Sequence, residues 1–88
     1  MWLPLILPDD KEKISDALRL WIGMRIPLIL TTGGTGPAVR DITPEATLAV
    51  LEKQLPGFSE IQRMSSFPRA PTAILSRAVA GVAAQSLI

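Results

Sequence analysis

The feature that most constrains the fold of this chain is the glycine-rich segment at residues 31–46, which separates an apolar run from a strong helix start. Residues 28–30, Leu-Ile-Leu, are β-prone and predict a short buried strand that ends where the glycines begin. Gly33, Gly34 and Gly36 permit positive φ angles and close backbone approach, so successive N–H groups can converge on an anion. The segment therefore predicts a strand, a phosphate-binding loop and a helix, in that order.

The helix after this loop has its own sequence signal. Thr43 is a good N-cap, Pro44 suits the first helical position, and Glu45 favours the positive end of the helix dipole. We predict a helix over residues 44–55, ended by the proline and glycine that follow. No Gly-Lys-Ser/Thr follows the loop glycines and they do not form a G-x-G-x-x-G pattern, so the loop is neither a Walker A loop nor a dinucleotide fingerprint.

The hydrophobic pattern of each remaining segment predicts the other elements. They are a buried strand from Leu3 to Leu7, an amphipathic helix at about 10–23, a second strand at about 28–31, a helix at about 57–67, a helical turn at 71–77, and two strands at 78–82 and 86–88. The initial order of strand, helix and strand predicts a βαβ unit with a right-handed crossover. Trp21, Phe58 and Met64 are expected in the core rather than against a ligand.

Composition limits the chemistry that the chain can perform. The 88 residues allow one domain at most, and 48% of them are hydrophobic, which is high for so small a domain and indicates a fragment. The absence of Cys and His excludes thiol nucleophiles, Cys/His zinc sites, histidine acid–base catalysis and disulfides. The net charge of +1 gives no electrostatic argument for binding nucleic acid or an anionic membrane.

The first seven residues are apolar, but they do not resemble a targeting or membrane segment. They carry no basic n-region, are interrupted by Pro4 and meet Pro8 too early for a signal peptide or a membrane span. We therefore expect no membrane association and a cytoplasmic protein.

Several separated segments together resemble the MoaB/Mog domain family, most closely its MogA-type molybdopterin adenylyltransferases; the G domain of gephyrin belongs to the same family. The resemblance is carried by the loop at 31–46 with its Arg-Asp and Thr-Pro-Glu-Ala, by Leu-Pro-Gly-Phe at 55–58, by Arg63, and by Pro-Thr-Ala-Ile-Leu-Ser-Arg at 71–77. It extends from about Leu7 to Ile88.

The resemblance implies a fold, a reaction and partners. The fold is a three-layer α/β/α domain with a mostly parallel sheet, of which residues 1–88 form a part truncated at both ends. The reaction is transfer of AMP from Mg-ATP to the terminal phosphate of molybdopterin, a step of molybdenum cofactor biosynthesis. ATP and molybdopterin are the implied substrates and Mg²⁺ is the cofactor. A homotrimer and handover to a molybdenum-inserting partner are also implied.

The family's functional residues transfer to matching positions of this chain. Acidic functional residues match Asp9 and Asp41, and Asp41 beside a phosphate loop suits Mg²⁺, which binds a few carboxylates together with phosphates and water. The ligand-contacting loop matches Thr32, Gly33, Gly34, Thr35 and Gly36. Ser76 matches a family serine and is carried over as a pterin or phosphate contact.

Each of these residues also has a purely structural interpretation. Asp9 precedes Glu12 by three residues and could cap the first helix, while Asp41 could form an Asx-type turn ahead of the next helix. The glycines could form only a tight turn, and Ser76 could bond local backbone. Arg40 could neutralise phosphate charge or point to solvent.

The chain ends depart from the family pattern. Family members have an additional strand with a Ser-Asp segment before residue 1 and an Asn-Leu-Pro-Gly loop after residue 88, and we expect both to be needed for a complete site. A catalytically silent molybdopterin-binding or assembly module of the same fold is therefore the alternative function. A generic nucleotide-phosphate-binding module is a third hypothesis.

Overall fold

Short helices alternate with short extended segments in the computed structural model, which describes residues 4–88. The elements are α1 (Lys11–Gly23), α2 (Thr43–Leu48), β1 (Lys53–Gln54), α3 (Pro56–Ser66), a 3-10 helix (Pro71–Leu75), β2 (Gly81–Ala83) and β3 (Ser86–Leu87). The helices predicted at 10–23 and 57–67, the helical turn within 71–77 and the two C-terminal strands are confirmed. Within residues 4–88, no helix combines the length and apolar character needed to cross a bilayer.

Asp10 fixes the start of α1. Its Oδ1 accepts hydrogen bonds from the backbone N–H groups of Glu12 and Lys13 at 3.0 and 3.3 Å. These bonds satisfy two donors that have no partner inside the helix. The interpretation of Asp9 as the cap is wrong, because Asp10 is the residue that immediately precedes the first helical position.

The core lies between the apolar face of α1 and the small sheet. Its buried hydrophobic members are Leu18, Ile29, Ala83 and Ile88, and the partly buried side chains packed against them are Ile14, Trp21, Ile22, Ile26, Val50 and Leu51. Burying one Leu or Ile side chain contributes about 1.5–3 kcal/mol. The Oγ of buried Ser15 donates to the carbonyl oxygen of Ala46 at 3.0 Å and so attaches α1 to α2.

The three named strands form a sheet in the order β1, β2, β3, and both pairings are antiparallel. Parallel pairing, which was expected to dominate, occurs at one bridge between Leu28 and Leu87. There the Ile29 N–H donates to the Leu87 oxygen at 2.8 Å, and the Leu87 N–H donates to the Pro27 oxygen at 2.9 Å. The strand predicted at 28–31 is thus reduced to this bridge, because the hairpin formed by β2 and β3 offers it a single short neighbour.

The predicted strand from Leu3 to Leu7 is not formed over its described part, residues 4–7, while Leu3 lies outside the described residues. Pro4 has no N–H to donate to a ladder, and no strand among residues 4–88 lies beside this segment to pair with it. The side chain of Ile6 is 96% exposed as a result. The prediction of a buried first strand in a βαβ unit is therefore wrong for these residues.

The helix predicted over 44–55 ends at Leu48. Beyond it, the N–H of Glu52 donates to the Val82 oxygen at 2.9 Å and the N–H of Leu55 donates to the Ala80 oxygen at 2.8 Å. These residues pair with β2 although their hydrophobic spacing suits a helix, because tertiary hydrogen bonding overrides a weak local preference.

Two side chains expected in the core lie at the surface. Phe58 is 48% exposed and Met64 is 71% exposed, both on α3. No element within residues 4–88 covers this face of α3, whereas Trp21 packs against the core as predicted.

Candidate functional site

The glycine loop turns sharply after the extended segment that contains Ile29. Gly33 and Gly34 have φ angles of +83° and +67°, in the left-handed region that favours glycine. A Cβ on Gly34 would also collide with the Oγ1 of Thr43, whose N–H donates to the Gly34 oxygen at 3.1 Å. Turns of this kind present successive backbone N–H groups to an anion. Two glycines are therefore required by conformation and one of them also by space.

Thr43 contributes to the loop rather than capping α2. Ile42 occupies the N-cap position of that helix and provides no side-chain hydrogen bond. Thr43 is buried inside the first turn, where its carbonyl oxygen accepts from the Oγ1 of Thr47 at 2.8 Å. The prediction of Thr43 as the N-cap is therefore wrong, because α2 begins at Thr43 itself and Ile42 is its N-cap.

The Asp41 carboxylate folds back against the loop. Its Oδ2 accepts from the N–H of Ala38 at 3.2 Å. The backbone N–H of Asp41 donates to the Ala38 oxygen at 3.0 Å. A Cβ built on Gly36 would lie 2.7 Å from this Oδ2. The turn therefore closes backward onto Ala38 rather than forward toward α2. Among residues 4–88, no hydrogen-bond donor meets the Oδ1 atom.

Arg77 bonds three residues of the loop, a role that the sequence pattern does not predict. Its Nε donates to the Gly36 oxygen at 2.8 Å and its Nη2 donates to the Asp41 oxygen at 2.7 Å. Its backbone N–H donates to the Thr35 oxygen, also at 2.7 Å. A sequence signal existed, because Arg77 directly follows Ser76 in a segment that carried the family resemblance.

Glu45 completes this network from the first turn of α2. Its Oε1 accepts from the Nη1 of Arg77 at 2.7 Å, in an ion pair whose side chains are 40% and 44% exposed. The hydrogen bond from Arg77 lowers the pKa of Glu45 below its ordinary value. Sequence reasoning had given Glu45 only a favourable place in the helix dipole. The pair instead joins α2 to the segment that follows the 3-10 helix.

Asp9 contacts the loop by an ion pair with Arg40. The Nη2 of Arg40 lies 3.3 Å from the Oδ2 of Asp9, and the two side chains are 81% and 43% exposed. Arg40 precedes Asp41 in the loop, so both predicted acidic residues, Asp9 and Asp41, are associated with one end of it. Arg40 pairs with a carboxylate in this arrangement, while most of its side chain lies in solvent.

Ser76 faces a different neighbour. Its Oγ accepts from the N–H of Ala78 at 3.3 Å, and its carbonyl oxygen accepts from the Nη1 of Arg63 at 3.2 Å. It lines a cleft of about 280 Å³ between α3 and the 3-10 helix. The interpretation of Ser76 as a residue that bonds local backbone is confirmed, and no hydrogen bond within residues 4–88 joins its hydroxyl to the glycine loop.

The two loop threonines lie on the open side. Thr32 is exposed and Thr35 is half-buried, and Thr35 uses its carbonyl oxygen to accept from Arg77. Over residues 4–88, no group of three or more acidic, His or Cys side chains forms a metal site by itself. A cation at Asp41 would thus take its remaining ligands from phosphate oxygens and water, which is the usual manner of Mg²⁺.

The loop, its carboxylate and the segment around Arg77 all lie within a recognised family pattern. Residues 3–87 match the family model described as a probable molybdopterin binding domain. The chain belongs to this molybdopterin-binding family. The family resemblance inferred from several separated segments is therefore confirmed.

Curated relatives are about half identical to this member of the molybdopterin-binding family over the aligned residues. Molybdopterin adenylyltransferase of Helicobacter pylori J99 is 51% identical over 84 residues, covering 94% of this chain and 48% of the relative. The enzyme of the same name from Escherichia coli K12 is 50% identical over 84 residues, covering 94% and 43%. The chain thus spans about half the length of the curated relatives it matches.

Solved structures of the molybdopterin-binding family superimpose closely. A structure of MogA matches with a TM-score of 0.95 at 39% identity, covering 100% of this chain and 58% of that one. The Mog protein of Mycobacterium ulcerans matches with a TM-score of 0.85 at 43% identity, covering 88% and 51%. The predicted α/β fold of this family is confirmed.

Proposed function

We propose that this chain carries part of a molybdopterin adenylyltransferase site and acts in molybdenum cofactor biosynthesis. The observation that carries the proposal is the Asp41 carboxylate lying against Gly36 inside a loop with two left-handed glycines. An acid at that position would repel a phosphate unless a cation lay between them. Relatives that carry the name molybdopterin adenylyltransferase, at 50–51% identity, support the choice of reaction.

In the proposed reaction, an oxygen of the terminal phosphate of molybdopterin attacks the α-phosphorus of ATP. The bond from the α-phosphorus to the bridging oxygen breaks, and pyrophosphate leaves. The loop residues Thr32, Gly33, Gly34, Thr35 and Gly36 would bind and orient the phosphates through backbone N–H groups and hydroxyls. Such positioning supplies much of the catalysis in a reaction without a protein nucleophile.

The residues present fit a magnesium ion. Asp41 offers a carboxylate oxygen, Oδ1, that meets no donor among residues 4–88, and the missing Cβ of Gly36 leaves room for this carboxylate to lie against the loop. Bound Mg²⁺ would offset phosphate charge and polarise the reacting phosphoryl group. Asp41 would hold the ion. Asp9 and Arg40 would offset each other's charge at this end of the loop. Ser76 would contact the ligand by donating its O–H, because the bond from Ala78 uses its Oγ only as an acceptor.

The wider assignments belong to the same proposal. The substrates are ATP and molybdopterin, the protein works in the cytoplasm as a homotrimer, and its product passes to a molybdenum-inserting partner. We propose no nucleic-acid partner and no membrane partner, in line with the net charge of +1.

The direct test is formation of adenylylated molybdopterin by the purified chain. Molybdopterin, ATP and Mg²⁺ are supplied, and product is measured by chromatography with and without a chelator. We expect Mg²⁺-dependent product, and a loss of a hundredfold or more in Asp41→Asn, on the order of the effect of misplacing one catalytic group. Asp16→Asn, which removes the same charge from an exposed pair on α1, is the matched control. Equal activity in the two variants would contradict the role of Asp41.

A silent binding or assembly module of the same fold is the second candidate function. A relative from Staphylococcus carnosus, 44% identical over 94% of this chain, is named molybdenum cofactor biosynthesis protein B, a name that gives the pathway without a reaction. This candidate predicts tight binding of molybdopterin with no adenylylated product at any Mg²⁺ concentration. Binding of ATP without binding of molybdopterin would instead favour a generic nucleotide-phosphate module.

A further inference from the structure

Arg77 contacts the glycine loop and α2 through every nitrogen of its guanidinium group. Nε meets the Gly36 oxygen at 2.8 Å, Nη2 meets the Asp41 oxygen at 2.7 Å, and Nη1 meets the Glu45 carboxylate at 2.7 Å. These acceptors come from three separate places in the chain segment 36–45. A single side chain therefore fixes the spacing between the last loop glycine, the candidate metal ligand and the next helix.

The backbone of Arg77 adds a fourth contact to the same loop. Its N–H donates to the Thr35 oxygen at 2.7 Å, so the main chain and the side chain of Arg77 bond the adjacent residues Thr35 and Gly36. Hydrogen bonds from a charged donor are shorter and stronger than bonds between neutral groups. Together these contacts make the loop conformation dependent on a residue that lies 41 positions after Gly36.

The charge of Arg77 is already offset within the protein. Glu45 forms an ion pair with it, and two carbonyl oxygens accept from its other nitrogens. A guanidinium engaged in this way is poorly placed to serve as the main electrostatic contact of a phosphate. Its planar set of donors is instead suited to holding several acceptors at fixed angles, which a lysine ammonium group cannot reproduce.

We propose that Arg77 is a positioning residue that holds the glycine loop and Asp41 in the arrangement needed for adenylyl transfer. The inference rests on the proposed function for the identity of the ligands, but the hold on the loop is a property of the chain itself. Arg77 acts through Asp41 and the loop amides and does not touch the reacting phosphates.

The first experiment measures the hold on the loop without any ligand. Amide hydrogen exchange is followed by NMR at Ala38, Asp41 and Thr43, whose N–H groups are hydrogen bonded within the loop. In Arg77→Lys these amides should exchange about tenfold faster, as expected for the loss of one or two hydrogen bonds. Arg69→Lys, at an exposed arginine that makes no side-chain hydrogen bond or ion pair within residues 4–88, should leave them unchanged. Unchanged exchange in Arg77→Lys overturns the proposal.

The second experiment separates positioning from direct phosphate binding. Turnover is measured against Mg²⁺ and ATP concentration in Arg77→Lys and Arg77→Ala. Positioning predicts a kcat at least about tenfold lower in both variants, with a higher Mg²⁺ concentration for half-maximal turnover. It also predicts that free guanidinium at millimolar concentration partly restores Arg77→Ala, whereas ammonium does not. Near-wild-type turnover in Arg77→Lys overturns the proposal, because retained charge alone would then suffice.

The two experiments distinguish this proposal from the function on which it rests. If the unmodified chain forms no adenylylated molybdopterin, the proposed function fails and hydrogen exchange alone decides the role of Arg77. If Arg77→Ala does not fold, both experiments can be done with Arg77→Lys alone, because the lysine keeps the charge and most of the side-chain volume.

Discussion

The backbone of Gly36 passes so close to the side chain of Asp41 that an added Cβ would lie 2.7 Å from the carboxylate Oδ2. Gly36 does not adopt a positive φ angle, unlike the two glycines before it. Glycine is therefore required here for space rather than for conformation, and the space is occupied by the candidate metal ligand.

Gly36→Ala should displace the Asp41 carboxylate from its bond with Ala38. We expect the free energy of unfolding to fall by about 1 kcal/mol, the net worth of one hydrogen bond, and Mg²⁺-dependent turnover to fall at least tenfold. Urea denaturation and the adenylylation assay measure the two effects. Gly57→Ala is the matched control, because a Cβ there meets no atom within 4 Å. Similar turnover in the two variants would show that Asp41 does not depend on the space at Gly36.

Asp10→Ala should destabilise α1, whereas Asp9→Ala should not. Asp10 accepts two backbone hydrogen bonds at the helix start, and losing such a cap costs about 1 kcal/mol. Asp9 makes only an exposed ion pair with Arg40, which contributes less than about 1 kcal/mol. Urea unfolding followed by circular dichroism compares the two variants. An equal or larger loss in Asp9→Ala would contradict the assignment of the cap.

The Glu45–Arg77 pair should make stability depend on pH in the acid range. The pKa of Glu45 is lowered in the folded state, first by the hydrogen bond from Arg77, so the unfolded chain binds the proton more tightly. The contribution is therefore fully present above the unfolded pKa and is lost as the pH falls through the folded value. Glu45→Gln should flatten the decline of the urea midpoint below about pH 4.5, near the ordinary carboxyl pKa.

Glu60→Gln provides the comparison for this pH experiment. Glu60 is exposed on α3 and forms no ion pair within the described residues. Its substitution should leave the acid limb of the stability curve unchanged. If Glu45→Gln and Glu60→Gln give the same curve, the ion pair does not contribute to folding.

Gly81→Ala should destabilise the protein by disturbing the sheet. A Cβ at this buried position would collide with the carbonyl oxygen of Lys53 and lie 2.8 Å from Cδ1 of Leu51. Overpacking of this kind costs about 1–3 kcal/mol. Gly23→Ala, where a Cβ meets nothing within 4 Å, should change the free energy of unfolding by less than about 0.5 kcal/mol. A thermal melt of each variant tests the difference, and equal melting temperatures would contradict it.

Sequence patterns correctly predicted the elements whose formation depends on residues close to one another in the sequence. The helix at Lys11–Gly23 has an amphipathic spacing and a cap, and the one at Pro56–Ser66 begins at a proline and ends two residues before the next. Residues 52–55 could not be predicted in the same way. Their helical spacing is overridden by hydrogen bonds to Ala80 and Val82, which are distant in sequence.

The same distinction between local and long-range contacts applies to the candidate site. The glycine loop and Asp41 were predicted because all of their determinants lie within a few residues of one another. Glu45 and Arg77 were not recognised as partners, because they are 32 positions apart and meet only in the folded chain. The ion pair of Asp9 with Arg40, which are 31 positions apart, escaped prediction for the same reason.

The contacts of Arg77 also bear on how the chain opens. Release of the segment after the 3-10 helix would remove bonds from Thr35, Gly36 and Asp41 at once. Local opening occurs in cooperative units, so the loop and this distant segment should open and close as one unit. A ligand held by the loop would then protect residues 71–77 from proteolysis, although it need not touch them.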